Sequence, residues 1–302
     1  MDLQPRAGHL LGLNPDGFHR IAYVEWGDPR AMRVAVCVHG LTRQGRDFDF
    51  LAHALAANGY RVVCPDMAGR GLSDRLSDPE HYAQPQYLAD MTALIARLDV
   101  ERIDWIGTSM GGLIGLMLAA RPNTPIRRLV LNDIGPFIAK AALERIATYL
   151  GADPEFPDLA AAERFIRDVH AGFGPLEAAG WRHLALHSVR ADPGSGLRLG
   201  YDPKIAVAFR KAAGADADLW AVWAKVRVPV LVLRGELSDV LSAETARRMA
   251  AGGPDGTAPK ARIVTFSGVG HAPALMNRDQ IATVADWLRN EAPGLTRPTN
   301  KG

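Results

Sequence analysis

Two cysteines among 302 residues leave too little material for a disulfide framework. Cys37 and Cys64 each sit inside an apolar, strand-like run, so they read as small buried thiols in a reducing compartment. Neither has a base beside it in sequence that would make it a nucleophile. An excess of one charge is equally lacking: 35 Lys and Arg face 33 Asp and Glu, a net charge of +2 spread along the chain. That balance provides no electrostatic footprint for nucleic acid or an anionic membrane surface. No apolar run approaches membrane-spanning length, and Met1-Asp2-Leu3-Gln4-Pro5-Arg6 has neither a basic start nor an apolar stretch behind it. The expectation is a cytoplasmic protein acting on a small molecule, with no nucleic-acid or membrane partner. Association into a homo-oligomer is left open, because an apolar surface stripe cannot be told from a core face in sequence.

What is present is core material: 48% of the residues are apolar, enough for one large core with an inserted subdomain. Residues 8–13 and 18–26 read as a hairpin across Asn14-Pro15-Asp16-Gly17. Apolar strands are then expected near 33–38, 60–64, 103–106, 128–131, 228–233 and 261–266, separated by helical stretches. This pattern predicts an α/β fold, a mainly parallel eight-stranded sheet flanked by helices. Between Ile134 and about Val226 the strand rhythm stops, and helical segments such as 139–150 and 159–170 take over. The expected division is a core of 1–135 and 226–302 with a helical subdomain at 136–225. The tail 292–302, rich in Pro, Gly, Thr and Asn, is expected to fray.

The chemistry is concentrated in Gly107-Thr108-Ser109-Met110-Gly111, which follows the apolar run 103–106 and precedes a helix-like run ending at Arg121-Pro122. A serine on a sharp strand-to-helix turn is forced into strained backbone, tolerated only where small neighbours let other backbone pass close by. A second apolar strand, 34–38, runs into His39-Gly40-Leu41. There the backbone N–H groups of Leu41 and Met110 are placed to meet at a developing oxyanion. A third strand-like run, 261–266, leads into Gly268-Val269-Gly270-His271. A serine hydroxyl needs a base, and His271 is the best candidate: His39 belongs to the oxyanion loop, His53 to a helix, and His9, His19 and His81 to surface-like segments.

Taken in this order, the His-Gly loop, the Gly-x-Ser-x-Gly turn and the late Gly-His make the chain resemble the α/β-hydrolase fold superfamily, over nearly its whole length. Pro65-Asp66-Met67-Ala68-Gly69-Arg70-Gly71-Leu72-Ser73-Asp74 is similar to the loop after that family's fourth strand. The resemblance implies that the insertion after strand six folds over the nucleophile as a cap and shapes the pocket. Phe137, Phe173, Trp181, Trp220 and Trp223 are candidate lining groups, though aromatics at helical spacing are more often packing groups. The acid has two competing candidates. Asp133 directly follows strand six; Asp239 follows strand seven, one residue late for the family's commoner Gly-x-x-Asp pattern, in which Ser238 stands at the acid's place. Some members carry the acid after strand six, and Asp133 is favoured, with Asp239 still open.

The cycle these residues imply is attack by Ser109 with His271 as base, an acyl-enzyme, and hydrolysis by water, which needs no metal or organic cofactor. His183 and His187 have i,i+4 spacing but no nearby acidic helper motif, so no metal is expected there. Arg43 is a candidate contact for a substrate carboxylate; the blander reading is an ion pair with Asp47 or Asp49. The leading expectation is a serine hydrolase of a small to medium carboxylic ester, amide, thioester or lactone. Related proteins use the same triad for carbon–carbon bond hydrolysis of β-diketones and for cofactor-free peroxidase chemistry, and a ligand receptor built on the fold is the reading of a different class. A nucleophilic aspartate, the mark of dehalogenases and epoxide hydrolases, is absent from the turn.

Overall fold

In the computed structural model the described residues are 4–192, 194 and 196–290. Alternation of side chains about a sheet buried on both faces explains the strand sequences. In β3, Val34–Val38, all five residues are buried; Val34, Val36 and Val38 join the apolar layer on one face, and Ala35 and Cys37 join the layer on the other. The hairpin strands β1 (Arg6–Asn14) and β2 (Gly17–Trp26) are antiparallel. With β4 (Arg61–Pro65), β5 (Ile103–Thr108), β6 (Ile126–Asn132), β7 (Val230–Gly235) and β8 (Arg262–Phe266) they complete one eight-stranded sheet in the order β1-β2-β4-β3-β5-β6-β7-β8. From β4 to β8 every pairing is parallel, so the strands' C-terminal ends lie along one edge. Cys37 and Cys64 are both buried, and burial together with the Cys37 neighbour pushes the Cys64 thiol well above its ordinary pKa.

Core helices α1 (Asp49–Ala57), α2 (Gln84–Arg97) and α3 (Met110–Ala119) fill the connections between the first parallel strands. Between β6 and β7 come α4 (Lys140–Tyr149), α5 (Leu159–Val169), α6 (Ala178–Ser188), α7 (Ile205–Ala212) and the short α8 (Trp220–Trp223). Helices α9 (Ala243–Ala251) and α10 (Arg278–Arg289) follow β7 and β8. The insertion is not purely helical: Glu155–Phe156, Val189–Asp192 and Gly196–Leu199 form a small antiparallel sheet, and Phe137–Ile138 pairs with Ala217–Asp218. Such two- to four-residue strands are too short to leave a period-two signal in the sequence. The insertion is stitched to the loop after β4 by Gly71 N–H on Gly200 O at 2.8 Å and Asp202 N–H on Gly69 O at 2.7 Å.

His19 departs from its expected surface position. Strand alternation turns it inward beneath α2, where its Nε2 lies 3.0 Å from Asp90 Oδ1 and both side chains are buried. The tail expected to fray, 292–302, lies outside the described residues. Among the described residues no helix is long and apolar enough to cross a membrane.

Candidate active site

Ser109 sits between β5 and α3 at φ +50° and ψ −113°, a conformation that L-residues adopt only under constraint. The constraint is close backbone packing on both sides. A Cβ on Gly107 would stand 2.3 Å from Gly111 O, and one on Gly111 would stand 2.1 Å from Val38 O. The turn is also bonded to its neighbours, with Ser109 N–H on Asn132 O at 3.0 Å and Gly111 N–H on His39 O at 3.2 Å. The Ser109 turn and the His-Gly loop are thereby held in one register.

His271, on the loop after β8, has Nε2 2.9 Å from Ser109 Oγ and Nδ1 2.7 Å from Asp133 Oδ2. An ionised carboxylate only accepts, so Nδ1 carries the proton and Nε2 presents its lone pair to the serine. Asp133 is fully buried at the tip of β6, at φ +55°. It is amply bonded: Gly235 N–H reaches Oδ1 at 2.8 Å and Ser238 Oγ–H reaches Oδ2 at 2.5 Å. Its own N–H donates to Leu233 O at 2.7 Å. Asn132 Nδ2 ties the neighbouring strand tip to Pro273 O at 2.8 Å, steadying the histidine loop. Asp239 is elsewhere. Half exposed, it forms an ion pair with Arg145 of α4 and makes no contact with His271.

The amides of Leu41 and Met110 have no backbone partner among the described residues, and both residues border the cavity that holds Ser109. His39 shapes the first of the two. Its Nδ1–H donates to Gly40 O at 2.7 Å and its Nε2 accepts from Met67 N–H at 2.9 Å. Burial lowers its pKa to about 3, so the ring stays neutral in that double role. Asp66 accepts from Gly45 N–H and Leu72 N–H at 2.7 and 2.8 Å; burial nonetheless raises its pKa to about 6.

Arg70 is the residue that sequence reasoning quoted in a motif without assigning it work. Its side chain is fully buried, with no carboxylate partner among the described residues. Nε–H donates to Leu41 O at 2.9 Å, and Nη1 donates to Ala68 O at 2.7 Å and Tyr87 Oη at 2.8 Å. Nη2 lies 3.8 Å from Met110 Sδ. A cation therefore stands against both Leu41 and Met110, which border the Ser109 cavity. Its position between two positive-φ glycines, Gly69 and Gly71, is the signal that could have pointed to it.

The cavity above Ser109 measures about 350 Å³. Tyr87 and Leu113 from the core, and Leu143, Ile146 and Phe209 from the insertion, give it mostly apolar walls. Phe137, Trp181 and Arg43 do not line it. Phe137 pairs through its backbone with Asp218, and Trp181 packs under Arg167. Arg43 is held by Asp47 in two 2.7 Å hydrogen bonds, with His170 at 3.4 Å. A larger open cleft of about 1340 Å³ lies at the opposite, N-terminal ends of β5 to β7 and contains none of these groups.

Residues 34–277, which include Ser109, Asp133 and His271, match the family model described as the alpha/beta hydrolase fold. The chain belongs to that family. Over 296 residues it is 47% identical to the 3-hydroxybutyrate-oligomer hydrolase of Cupriavidus necator, covering 95% of this chain and 99% of that protein. It is 26% identical over 232 residues to the 2-(acetamidomethylene)succinate hydrolase of Mesorhizobium japonicum, covering 72% and 75% of the two chains. Among solved structures, an α/β hydrolase from Novosphingobium aromaticivorans superposes with a TM-score of 0.82 at 34% identity, covering 95% of this chain and 99% of that one. This α/β hydrolase is accordingly an enzyme of the hydrolase class. Its family explains why strand tips of a parallel sheet bring together side chains so distant in sequence.

Proposed function

We propose that this α/β hydrolase is a serine esterase with Ser109 as nucleophile, His271 as general base and Asp133 as the acid that orients it. We further propose that its substrates are short hydroxyalkanoate ester oligomers of the 3-hydroxybutyrate type. The observation that carries the mechanism is the continuous chain Asp133 Oδ2, His271 Nδ1, His271 Nε2, Ser109 Oγ at 2.7 and 2.9 Å. His271 takes the Ser109 proton as Oγ adds to the ester carbonyl, and the N–H groups of Leu41 and Met110 stabilise the oxyanion. The imidazolium then protonates the departing alkoxide, leaving an acyl-serine. Water, deprotonated by the same Nε2, adds to the acyl carbon; the carboxylic acid leaves and the serine recovers its proton. Throughout, Asp133 remains ionised, fixed by Gly235 N–H and Ser238 Oγ–H, and stabilises the charged ring.

The substrate reading rests on the 47% identity to the oligomer hydrolase over almost its full length and on the apolar cavity, which suits methyl-branched ester units. With no cation among its lining residues, the cavity takes the chain's uncharged units, and the terminal carboxylate points away from it. The test is turnover of 3-hydroxybutyrate dimer and trimer, alongside p-nitrophenyl esters of increasing chain length, by wild type, Ser109→Ala, Asp133→Asn and Asp239→Asn. Ser109→Ala and Asp133→Asn are expected to lose about a thousandfold or more in kcat. Asp239→Asn should stay within about threefold, as expected for a surface ion pair. Activity surviving Ser109→Ala would end the mechanism; brisk p-nitrophenyl hydrolysis without oligomer turnover would end only the substrate assignment.

A further inference from the structure

The pair His183 and His187, one turn apart on α6, meets in the folded chain an acid that local sequence does not supply. Asp49, the first residue of α1, lies against both. One nitrogen of each histidine and one carboxylate oxygen of Asp49 all fall within 4.8 Å of one another. His183 Nε2 is 3.5 Å from Asp49 Oδ2, and the two imidazole centroids are 4.6 Å apart. Asp49 is buried, and its second oxygen, Oδ1, has no hydrogen-bond partner although it is shut off from solvent. A buried carboxylate oxygen without a donor is costly unless something else compensates it. The His187 ring likewise makes no hydrogen bond among the described residues; it packs edge-on against the His183 ring.

We propose that Asp49, His183 and His187 form a binding site for a divalent first-row transition ion, Zn²⁺ above all, that fastens inserted helix α6 to core helix α1. Two imidazoles and one carboxylate are the donor set that borderline ions such as Zn²⁺ prefer, whereas Mg²⁺ and Ca²⁺ require oxygen-rich sites. Histidines at i and i+4 present nitrogens on one helix face, which fixes two ligands before the third is added. Arg46 now neutralises Asp49 through Nε–H on Oδ2 at 2.6 Å, and His183 Nε2 rests 2.8 Å from Arg46 O. Arg46 is partly exposed, so its guanidinium can turn to water when a dication replaces its charge. The ion has a holding role and takes no part in the ester chemistry at Ser109.

The measurement is a Zn²⁺ titration of the chelator-treated full chain, by competition with a chromophoric chelator, beside His183→Gln and His187→Gln. Wild type should bind one equivalent, and each variant should bind at least about tenfold more weakly. Excess Zn²⁺ should raise the wild-type Tm by about 5 °C and leave that of His187→Gln unmoved. Because the His187 ring holds no hydrogen bond among the described residues, His187→Gln should melt with wild type in the presence of chelator. If either variant fails to fold, the Co²⁺-loaded wild type decides by paramagnetic proton NMR: two shifted imidazole N–H resonances support the site, and their absence overturns it. The proposal also falls if wild type binds no single equivalent, or if both variants keep it.

Discussion

Arg70 shows how a single residue can carry the geometry of a site it does not enter. Its guanidinium organises three acceptors, Leu41 O, Ala68 O and Tyr87 Oη, and occupies the low-dielectric space behind both candidate oxyanion amides. Replacement by Met keeps much of the volume but leaves those acceptors without their donor. The expected cost is about 3 kcal/mol of stability in urea unfolding, together with a kcat reduced by about tenfold or more at nearly unchanged KM. A loss of stability with kcat intact would reduce Arg70 to a packing role. Ser109 and His271 could be singled out as candidates in sequence because motifs at strand ends carry them, and the fold brings the two side chains to 2.9 Å. The choice between Asp133 and Asp239 could not be made there, because in a tight turn one residue of register decides where a side chain aims. The structure shows what occupies the expected acid position: Ser238, whose hydroxyl donates to Asp133. Arg70 left no mark beyond its flanking glycines, since Leu41 and Tyr87 lie 29 and 17 residues away and the nearby Ala68 offers only a backbone carbonyl.

At the level of elements, the parallel strands set the site and the insertion sets its size. The strands were readable because runs buried on both faces are continuously apolar, as in Val34–Val38 and Val230–Leu233. The cavity wall was not readable. Choosing aromatics by type pointed to Phe137 and Trp181, whereas the walls come from Leu143 and Ile146 on α4 and Phe209 on α7, one face each of two amphipathic helices. Which face looks down on Ser109 depends on how the helices dock, and that is a tertiary property. Leu143→Trp should therefore shorten the preferred acyl chain, lowering kcat/KM about tenfold for the longest p-nitrophenyl ester accepted while changing the shortest by less than about twofold. Equal losses for both chain lengths would mean that α4 does not bound the acyl site.

For the molecule as a whole, buried ionisable groups set how stability varies with pH. His39 keeps a pKa near 3 and His170 one well below its ordinary value, both chiefly through burial, so the native state holds fewer protons on them than the unfolded chain does. Their stabilisation is present near neutrality and is lost as pH falls below about 6.5. Asp66, raised to about 6, works in the opposite sense between its unfolded pKa and 6, where the native state holds the extra proton. His187, only partly buried and lowered to about 4, acts in the same sense as the other two, so three histidines against one aspartate leave a net excess of between about one and two protons in the unfolded chain. Urea unfolding should thus show stability falling by about 2 kcal/mol per pH unit between pH 6 and pH 4. A flat profile would show that these groups titrate alike in both states. Finally, Asp133 lies 138 residues before His271, and Ser109 lies 162 before it. Contacts of such long range close late in folding. A refolding chain can therefore regain its helical signal and the β5–β6 pairing while still inert. With the proposed Ser109, His271 and Asp133 triad, recovered turnover times the docking of β8 and its loop, making the catalytic assay a clock for that step of assembly.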